Sequence, residues 1–315
     1  MSDLSLDVPE APPAALMSAL AEAGVPVRLG EPLGRHTSFR IGGPADLFAA
    51  VRSVPELQAT LHACRAHHYP VFFLGGGTNL LVSDRGVRGA VLKLGKQFDF
   101  VEWDKRADGA SVRVGAAVPF KRLVLQTIEA RLAGLEFAEG IPGTVGGGLL
   151  MNAGAFGGEI GSVVEAIEVV TEAGDAVTIP RSELNFSYRR LALPTRALVT
   201  AIRMRLVPGE ATTLRTKVSD AKAKRDRHQP RGYPNAGSIF KNPTGEHAGR
   251  LLEAAGLKGA RLGGAMISER HANFIVNAGG ARAADVVDLM QFATRVVHDR
   301  FEVTLEPEVR LVGDW

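Results

Sequence analysis

The run Phe72-Phe73-Leu74-Gly75-Gly76-Gly77-Thr78-Asn79-Leu80-Leu81-Val82 decides how this chain is read. A short apolar segment enters three glycines, and Thr78-Asn79 leads directly into a second apolar segment. The pattern is strand, loop, extended segment, without the helix that a dinucleotide fingerprint opens. It is not a P-loop either, because no lysine follows Gly77. A second stretch runs Gly140-Ile141-Pro142-Gly143-Thr144-Val145-Gly146-Gly147-Gly148, then Asn152-Ala153-Gly154-Ala155-Phe156-Gly157-Gly158. Residues without a Cβ let the backbone approach a ligand and turn its N–H groups toward it. Taken alone, the first loop can also be a tight turn between strands. Two such loops in one chain point to a cofactor with a long phosphate-bearing spine, clasped from both sides.

Outward from these loops, helical spacing covers Ala14 to Ala23 (stopped by Gly24), Val54 to His67, and Pro119 to Arg131. Strand-like runs fall at Leu47 to Val51, Val71 to Leu74, Gly89 to Leu94 and Ser111 to Val114. Others follow at Ala166 to Thr171, Ala176 to Ile179 and Ala197 to Arg205. This is not the regular alternation of a doubly wound parallel sheet, so the fold class expected is α+β, with two sheets. A boundary is expected near Val207-Pro208-Gly209. Beyond it, helices at Thr213 to Arg227, His247 to Ala255 and Arg282 to Arg300 join strands at Phe274 to Asn277 and Val309 to Val312 in a smaller α/β domain. The domain reading is a leader and helix over 1–24, a two-lobed region over 25–209, and a last domain over 210–315.

Composition narrows the classes. At 315 residues, with 45% hydrophobic and 23% charged residues, the chain can bury a substantial core. A net charge of +3 admits an anionic ligand but lacks the concentrated basic stripe of a nucleic-acid binder. Cys64 is the single cysteine, which excludes an internal disulfide; it reads as a buried thiol. The eight histidines form no metal-ligand spacing, so no metal is expected. Residues 1–13 read as an acidic, proline-rich leader rather than a signal peptide, and no stretch is apolar enough to span a membrane. A cytoplasmic monomer is expected.

Four polar clusters could carry chemistry. In Ser187-Tyr188-Arg189-Arg190, an arginine beside an aromatic suits a substrate carboxylate, or simply stacks on Tyr188 at the surface. In Pro234-Asn235-Ala236-Gly237-Ser238-Ile239-Phe240-Lys241-Asn242-Pro243, the serine follows small, flexible residues. No nucleophile elbow is present, since position 240 is Phe, so Ser238 reads as a proton donor or hydrogen-bonding group, or as a turn serine. Glu308 lies in an extended, apolar-flanked segment, where it is either an acid or electrostatic stabiliser or a strand-edge partner of Arg310. The run Lys222-Ala223-Lys224-Arg225-Asp226-Arg227-His228 is a solvated helix face or an electrostatic lip for a phosphate-bearing substrate.

These stretches, in this order, resemble the bacterial UDP-N-acetylenolpyruvoylglucosamine reductases. The matching segments are His36 to Asp46, Leu74 to Val82, Gly140 to Gly158, Phe186 to Arg189, Gly237 to Pro243, Ala248 to Gly256 and Glu308 to Gly313. The glycine loops are shared with wider flavoproteins of the same FAD-domain superfamily; the Ala-Gly-Ser-Ile-Phe-Lys-Asn-Pro and Glu-Val-Arg segments are narrower. The resemblance implies non-covalent FAD, NADPH as co-substrate, and reduction of an enolpyruvyl UDP-sugar to UDP-N-acetylmuramate for peptidoglycan. It implies a two-part FAD-binding region followed by a substrate domain. Cofactor contacts would come from Arg40, Ile41, Gly75, Gly76, Gly77, Thr78, Asn79, Leu80, Pro142, Gly143, Thr144, Gly146, Gly147, Asn152, Ala153 and Gly154. The catalytic positions fall on Arg189, Ser238 and Glu308, and substrate contacts on Tyr188, Lys241 and Asn242. The short chain between Arg189 and Ser238 resembles the insertion-free, type II-like subgroup. A different FAD oxidase or dehydrogenase of the superfamily is the alternative; a sugar-nucleotide or RNA-binding module would leave both loops unexplained.

Overall fold

In the computed structural model, which describes residues 11–106 and 108–315, the apolar run Val71–Leu74 is a strand and Leu80–Val82 is a second one, as the loop pattern requires. Of the leader expected over 1–13, residues 1–10 lie outside the described residues. The chain divides into two compact units. The first comprises the residues up to Glu31, Ala45–Gly76 and Arg88–Lys222; the second comprises Pro32–Pro44, Gly77–Val87 and Ala223–Trp315.

The first unit is built on two larger sheets. One has the strand order Val27–Pro32, Pro44–Val51, Val87–Leu94, Val71–Leu74, the last two being parallel. Helices α1 (Ala14–Glu22) and α2 (Val54–Ala66) share its core, through Leu16, Leu20, Leu57, Leu61 and Cys64. The hydroxyl of Ser53 caps α2 by accepting the N–H of Glu56, and Pro55 sits where a missing N–H costs nothing. Burial pushes the Cys64 thiol up to about 12, so it is an inert core group.

The other sheet is antiparallel, ordered Ala176–Pro180, Val164–Thr171, Ala197–Pro208, Gly109–Gly115, Val101–Arg106. Helix α3 (Phe120–Glu129) places Phe120, Leu123 and Val124 in its core, with no exposed surface. Full burial of a side chain such as Phe120 contributes about 2–3 kcal/mol. Helix α4 (Val145–Leu150) starts inside the second glycine-rich stretch. Helix α5 (Ala211–His228) crosses from the first unit to the second after Lys222.

The second unit is built on α6 (Ala248–Ala254), α7 (Ala283–Phe301) and a sheet of Arg261–Leu262, Ala265–Ile267 and Ile275–Asn277. Two segments from early in the chain complete it. Leu80–Val82 pairs in parallel with Arg310–Val312, and Phe39, Ile41 and Leu81 sit in the same core as α7. Asp84 accepts the first N–H groups of α7, from Ala283 at 2.8 Å and Ala284 at 3.0 Å, where a carboxylate also meets the positive end of the helix dipole. The division into units is therefore not linear: residues 32–44 and 77–87, read from the sequence with the long region 25–209, pack with the C-terminal part.

Candidate functional site

The two glycine stretches meet within the first unit. A Cβ on Gly76 would lie 2.7 Å from the Cα of Gly143, closer than real Cβ atoms approach, so only glycine allows this contact. Thr144 caps α4 with its hydroxyl, accepting the N–H of Gly147 at 3.3 Å. Gly146 and Gly148 are demanded by packing: a Cβ would lie 2.7 Å from the Cβ of Ala116 and 2.7 Å from the Phe120 ring, respectively. Gly75 and Gly147 differ. At Gly75 a Cβ would meet the Thr144 hydroxyl at 3.4 Å, an ordinary contact, and Gly147 has similar room.

Neither packing nor a positive φ explains glycine at 75 or 147. The N–H groups of Gly75 and Gly76 donate to no acceptor among the described residues. Unspent donors beside backbone left uncovered by side chains are what a phosphate-bearing cofactor needs, so these residues fit the group the loops suggest. Pro142 is exposed and Gly143 half-buried at the same surface.

Farther along, Asn152 is buried with φ +40, and its side chain is spent on the protein. It donates to the Ser187 carbonyl at 3.1 Å and accepts the Gly161 N–H at 3.1 Å. That ties the stretch Asn152-Ala153-Gly154 to the hairpin formed by Asn185–Ser187 and Arg190–Ala192. Tyr188 and Arg189 are the two residues of its loop. Arg189 has φ +57, in the region that favours glycine, which costs a non-glycine residue about 1–2 kcal/mol. Its Nη1 donates to the Gly154 carbonyl at 2.9 Å, and its guanidinium lies 5.2 Å from the centre of the exposed Tyr188 ring. The stacking considered from sequence is present, yet it does not explain why an arginine occupies a strained position.

In the second unit, Gly77 has φ +64, and a Cβ there would lie 2.0 Å from the His36 carbonyl oxygen. Arg40 also has positive φ, +56, and is exposed; Ile41 is buried, its carbonyl accepting the Thr37 hydroxyl at 3.0 Å. Thr78 and Asn79 form the turn into the strand that begins at Leu80. Asn79 donates from Nδ2 to the Glu308 carbonyl at 3.1 Å, and its own carbonyl accepts the Arg310 N–H at 3.0 Å. The Glu308 N–H donates to the Ile239 carbonyl at 2.7 Å. The structure thus brings Asn79, the Ser238 segment and Glu308 together on one set of backbone hydrogen bonds.

Ser238 is half-buried, and its hydroxyl has no hydrogen-bond partner among the described residues. Lys241 does not serve it: its ammonium pairs with Glu306 at 3.2 Å. Asn242 is exposed and accepts the Ala248 N–H at 3.1 Å, at the start of α6. The basic run ends α5, where Arg231 pairs with Asp226 and Arg270 donates to the Arg227 carbonyl at 3.0 Å. Sequence reasoning missed Asn273, whose buried amide grips the Ser238 segment. No spacing signal could have found it, because the contact joins positions 33 apart.

Comparison with known proteins agrees with this geometry. Residues 45–180 match the FAD binding domain family, and residues 229–312 match the UDP-N-acetylenolpyruvoylglucosamine reductase C-terminal domain. The UDP-N-acetylenolpyruvoylglucosamine reductase 2 of Symbiobacterium thermophilum is 46% identical over 91% of this chain and 92% of its own. The reductase of Syntrophus aciditrophicus is 45% identical over the same shares. A crystal structure of UDP-N-acetylenolpyruvylglucosamine reductase (MurB) from Thermus caldophilus superposes with a TM-score of 0.77 at 38% identity, covering 91% of this chain and 98% of that one. The fold and loops are those of an FAD-binding α+β protein. The chain belongs to the UDP-N-acetylenolpyruvoylglucosamine reductase family.

Proposed function

We propose that this chain is an FAD-dependent, NADPH-using reductase that converts the enolpyruvyl ether of UDP-N-acetylglucosamine to UDP-N-acetylmuramate, in peptidoglycan precursor synthesis. The observation that carries the cofactor reading is the pair of glycine loops packed at Gly76 and Gly143, beside unspent N–H donors of Gly75 and Gly76. Gly75 to Leu80, Pro142 to Gly147, Asn152 to Gly154, Arg40 and Ile41 are the residues proposed to hold FAD. FAD held there would supply the hydride chemistry that links NADPH to the terminal carbon of the enolpyruvyl double bond.

This chain's residues then supply charge and a proton. As the double bond is reduced, negative charge grows toward the substrate carboxylate, where a preorganised guanidinium is most effective. Arg189 is proposed for that role, because its strained backbone holds the fork in place. Ser238 is proposed to deliver the proton to the carbon bearing the carboxylate, using a hydroxyl that has no hydrogen-bond partner among the described residues. An alcohol is a weak acid, and Lys241 is engaged with Glu306, so the Glu308 side chain is proposed to assist from the neighbouring segment. Tyr188, Lys241 and Asn242 are proposed substrate contacts, and the basic end of α5 is proposed to steer the diphosphate. Among the described residues no helix is long and apolar enough to cross a membrane; a cytoplasmic monomer is proposed.

Anaerobic mixing of the purified yellow protein with NADPH, then with the enolpyruvyl sugar nucleotide, tests the reading. Bleaching of the flavin followed by substrate-dependent return of its absorbance supports it. A protein without flavin, or a reduced flavin that the sugar nucleotide does not reoxidise, would contradict it.

A further inference from the structure

We propose that Asn273 is a positioning residue for the protonation step, setting the register of the segment that carries Ser238 and, through it, of Glu308. This rests on the reading of Ser238 as proton donor. The segment 234–239 runs antiparallel to 277–273: the Asn277 N–H donates to the Pro234 carbonyl, and the Ile239 N–H to the Asn273 carbonyl, each at 2.9 Å. Between those ties, 234–239 spans one residue more than its partner. The excess is a bulge, and it contains Ala236, Gly237 with φ +78, and Ser238. A bulge re-aims the side chains it carries, and a one-residue slip would turn Ser238 elsewhere.

Asn273 closes the bulge. Its side chain is buried, 4% exposed, and both amide atoms grip a single residue: Oδ1 accepts the Phe240 N–H at 3.0 Å, and Nδ2 donates to the Phe240 carbonyl at 2.8 Å. With the Ile239 bond, three hydrogen bonds fix the two residues that follow Ser238. The far side of that segment carries Glu308. Its N–H donates to the Ile239 carbonyl at 2.7 Å, the Lys241 N–H donates to the Glu306 carbonyl at 2.9 Å, and Phe240 bridges Pro307. One asparagine therefore indexes both the serine and the glutamate. Asn273 is itself held, its N–H donating to Nδ1 of His271 at 3.2 Å.

The test is anaerobic stopped-flow of holoenzyme carrying Asn273→Ala, Ser238→Ala, or both. A reacting group displaced by an ångström loses about 100-fold. Asn273→Ala is expected to slow flavin reoxidation by the enolpyruvyl substrate by about that factor, with much smaller changes in NADPH-driven reduction and in the half-saturating substrate concentration. The double variant is expected to reoxidise no more slowly than Ser238→Ala, because a misplaced serine and a missing one fail alike. Equal losses in both half-reactions, an undiminished reoxidation rate, or multiplying losses in the double variant would overturn the role of Asn273. Intact reoxidation in Ser238→Ala alone would instead remove the proton-donor reading. Should the alanine variant not fold, amide exchange on wild-type holoenzyme decides: the Ile239, Phe240 and Glu308 amides exchange slowly and together if the clasp holds, and rapid exchange at Phe240 refutes it.

Discussion

Gly75, Gly76 and Gly143 of the first unit and the Ser238–Glu308 segments of the second answer opposite demands. On the proposed reading, the useful atoms at Gly75 and Gly76 are backbone N–H groups, and at Gly76, where a Cβ would lie 2.7 Å from Gly143, a side chain is what must be kept away. At Ser238 and Glu308 the atoms proposed to act are side chains, and the backbone around them is fixed through Ile239, Phe240 and Asn273. In the first region damage comes from adding a methyl group; in the second it comes from removing a functional group. Arg189 combines the two, a side chain proposed to act on the substrate carboxylate, on a backbone position suited to glycine.

Substitutions at glycine break the comparison most severely. Gly77→Ala, where the first loop passes into the second unit, forces a Cβ to within 2.0 Å of the His36 carbonyl at φ +64, and is expected to cost about 3–5 kcal/mol and the folded flavoprotein with it. Gly75→Ala meets only ordinary contacts, so its stability should stay within about 0.5 kcal/mol of wild type while flavin binding weakens by about tenfold or more. Thermal melts with and without added FAD distinguish the two. Unweakened flavin binding in Gly75→Ala would show that the loop does not approach the cofactor there.

Arg189→Gly comes next. It relieves the strained φ while losing the bond to the Gly154 carbonyl, so stability is expected to stay within about 1 kcal/mol. Reoxidation by the enolpyruvyl substrate should fall by about 100-fold or more, the loss typical of a removed electrostatic stabiliser. A variant that lost stability and kept turnover would assign Arg189 to folding.

How far the sequence reveals all this differs between the two regions. The glycine stretches are legible because a missing Cβ is itself a sequence feature, and Val71–Leu74 and Leu80–Val82 show as apolar runs. The strand Val101–Arg106 is not, because its apolar positions stop at Trp103 and Asp104, Lys105 and Arg106 are all exposed on an outer strand. The hairpin around Arg189 reads only as a polar cluster, since its turn uses no glycine. Asp84 capping α7 and Asn273 clasping Phe240 are contacts between distant positions, and no local pattern encodes them. Chemistry written in backbone leaves a composition signal; chemistry held by tertiary hydrogen bonds leaves none.

The smallest effect concerns pH. His271 packs edge-on against Phe274, and burial, then the nearby His228 and Lys258 charges, hold its pKa below the ordinary 6.5, with Glu253 opposing. A neutral ring is required for Nδ1 to accept the Asn273 N–H. Because the folded-state pKa is lowered, the unfolded chain binds the extra proton first. The contribution is full above pH 6.5 and is lost as pH falls from there toward the folded value. The melting temperature of wild type should therefore drop more steeply below pH 6.5 than that of His271→Gln, which cannot titrate. Parallel curves would exclude a titrating His271.

The most direct test of the division between holding and chemistry is the pair of half-reaction rates in Ser238→Ala holoenzyme. Flavin reduction by NADPH should proceed at close to the wild-type rate, and reoxidation by the enolpyruvyl sugar nucleotide should slow by about 1,000-fold, within the range of a lost general acid. Reoxidation at the wild-type rate, or an equal slowing of both steps, would contradict it.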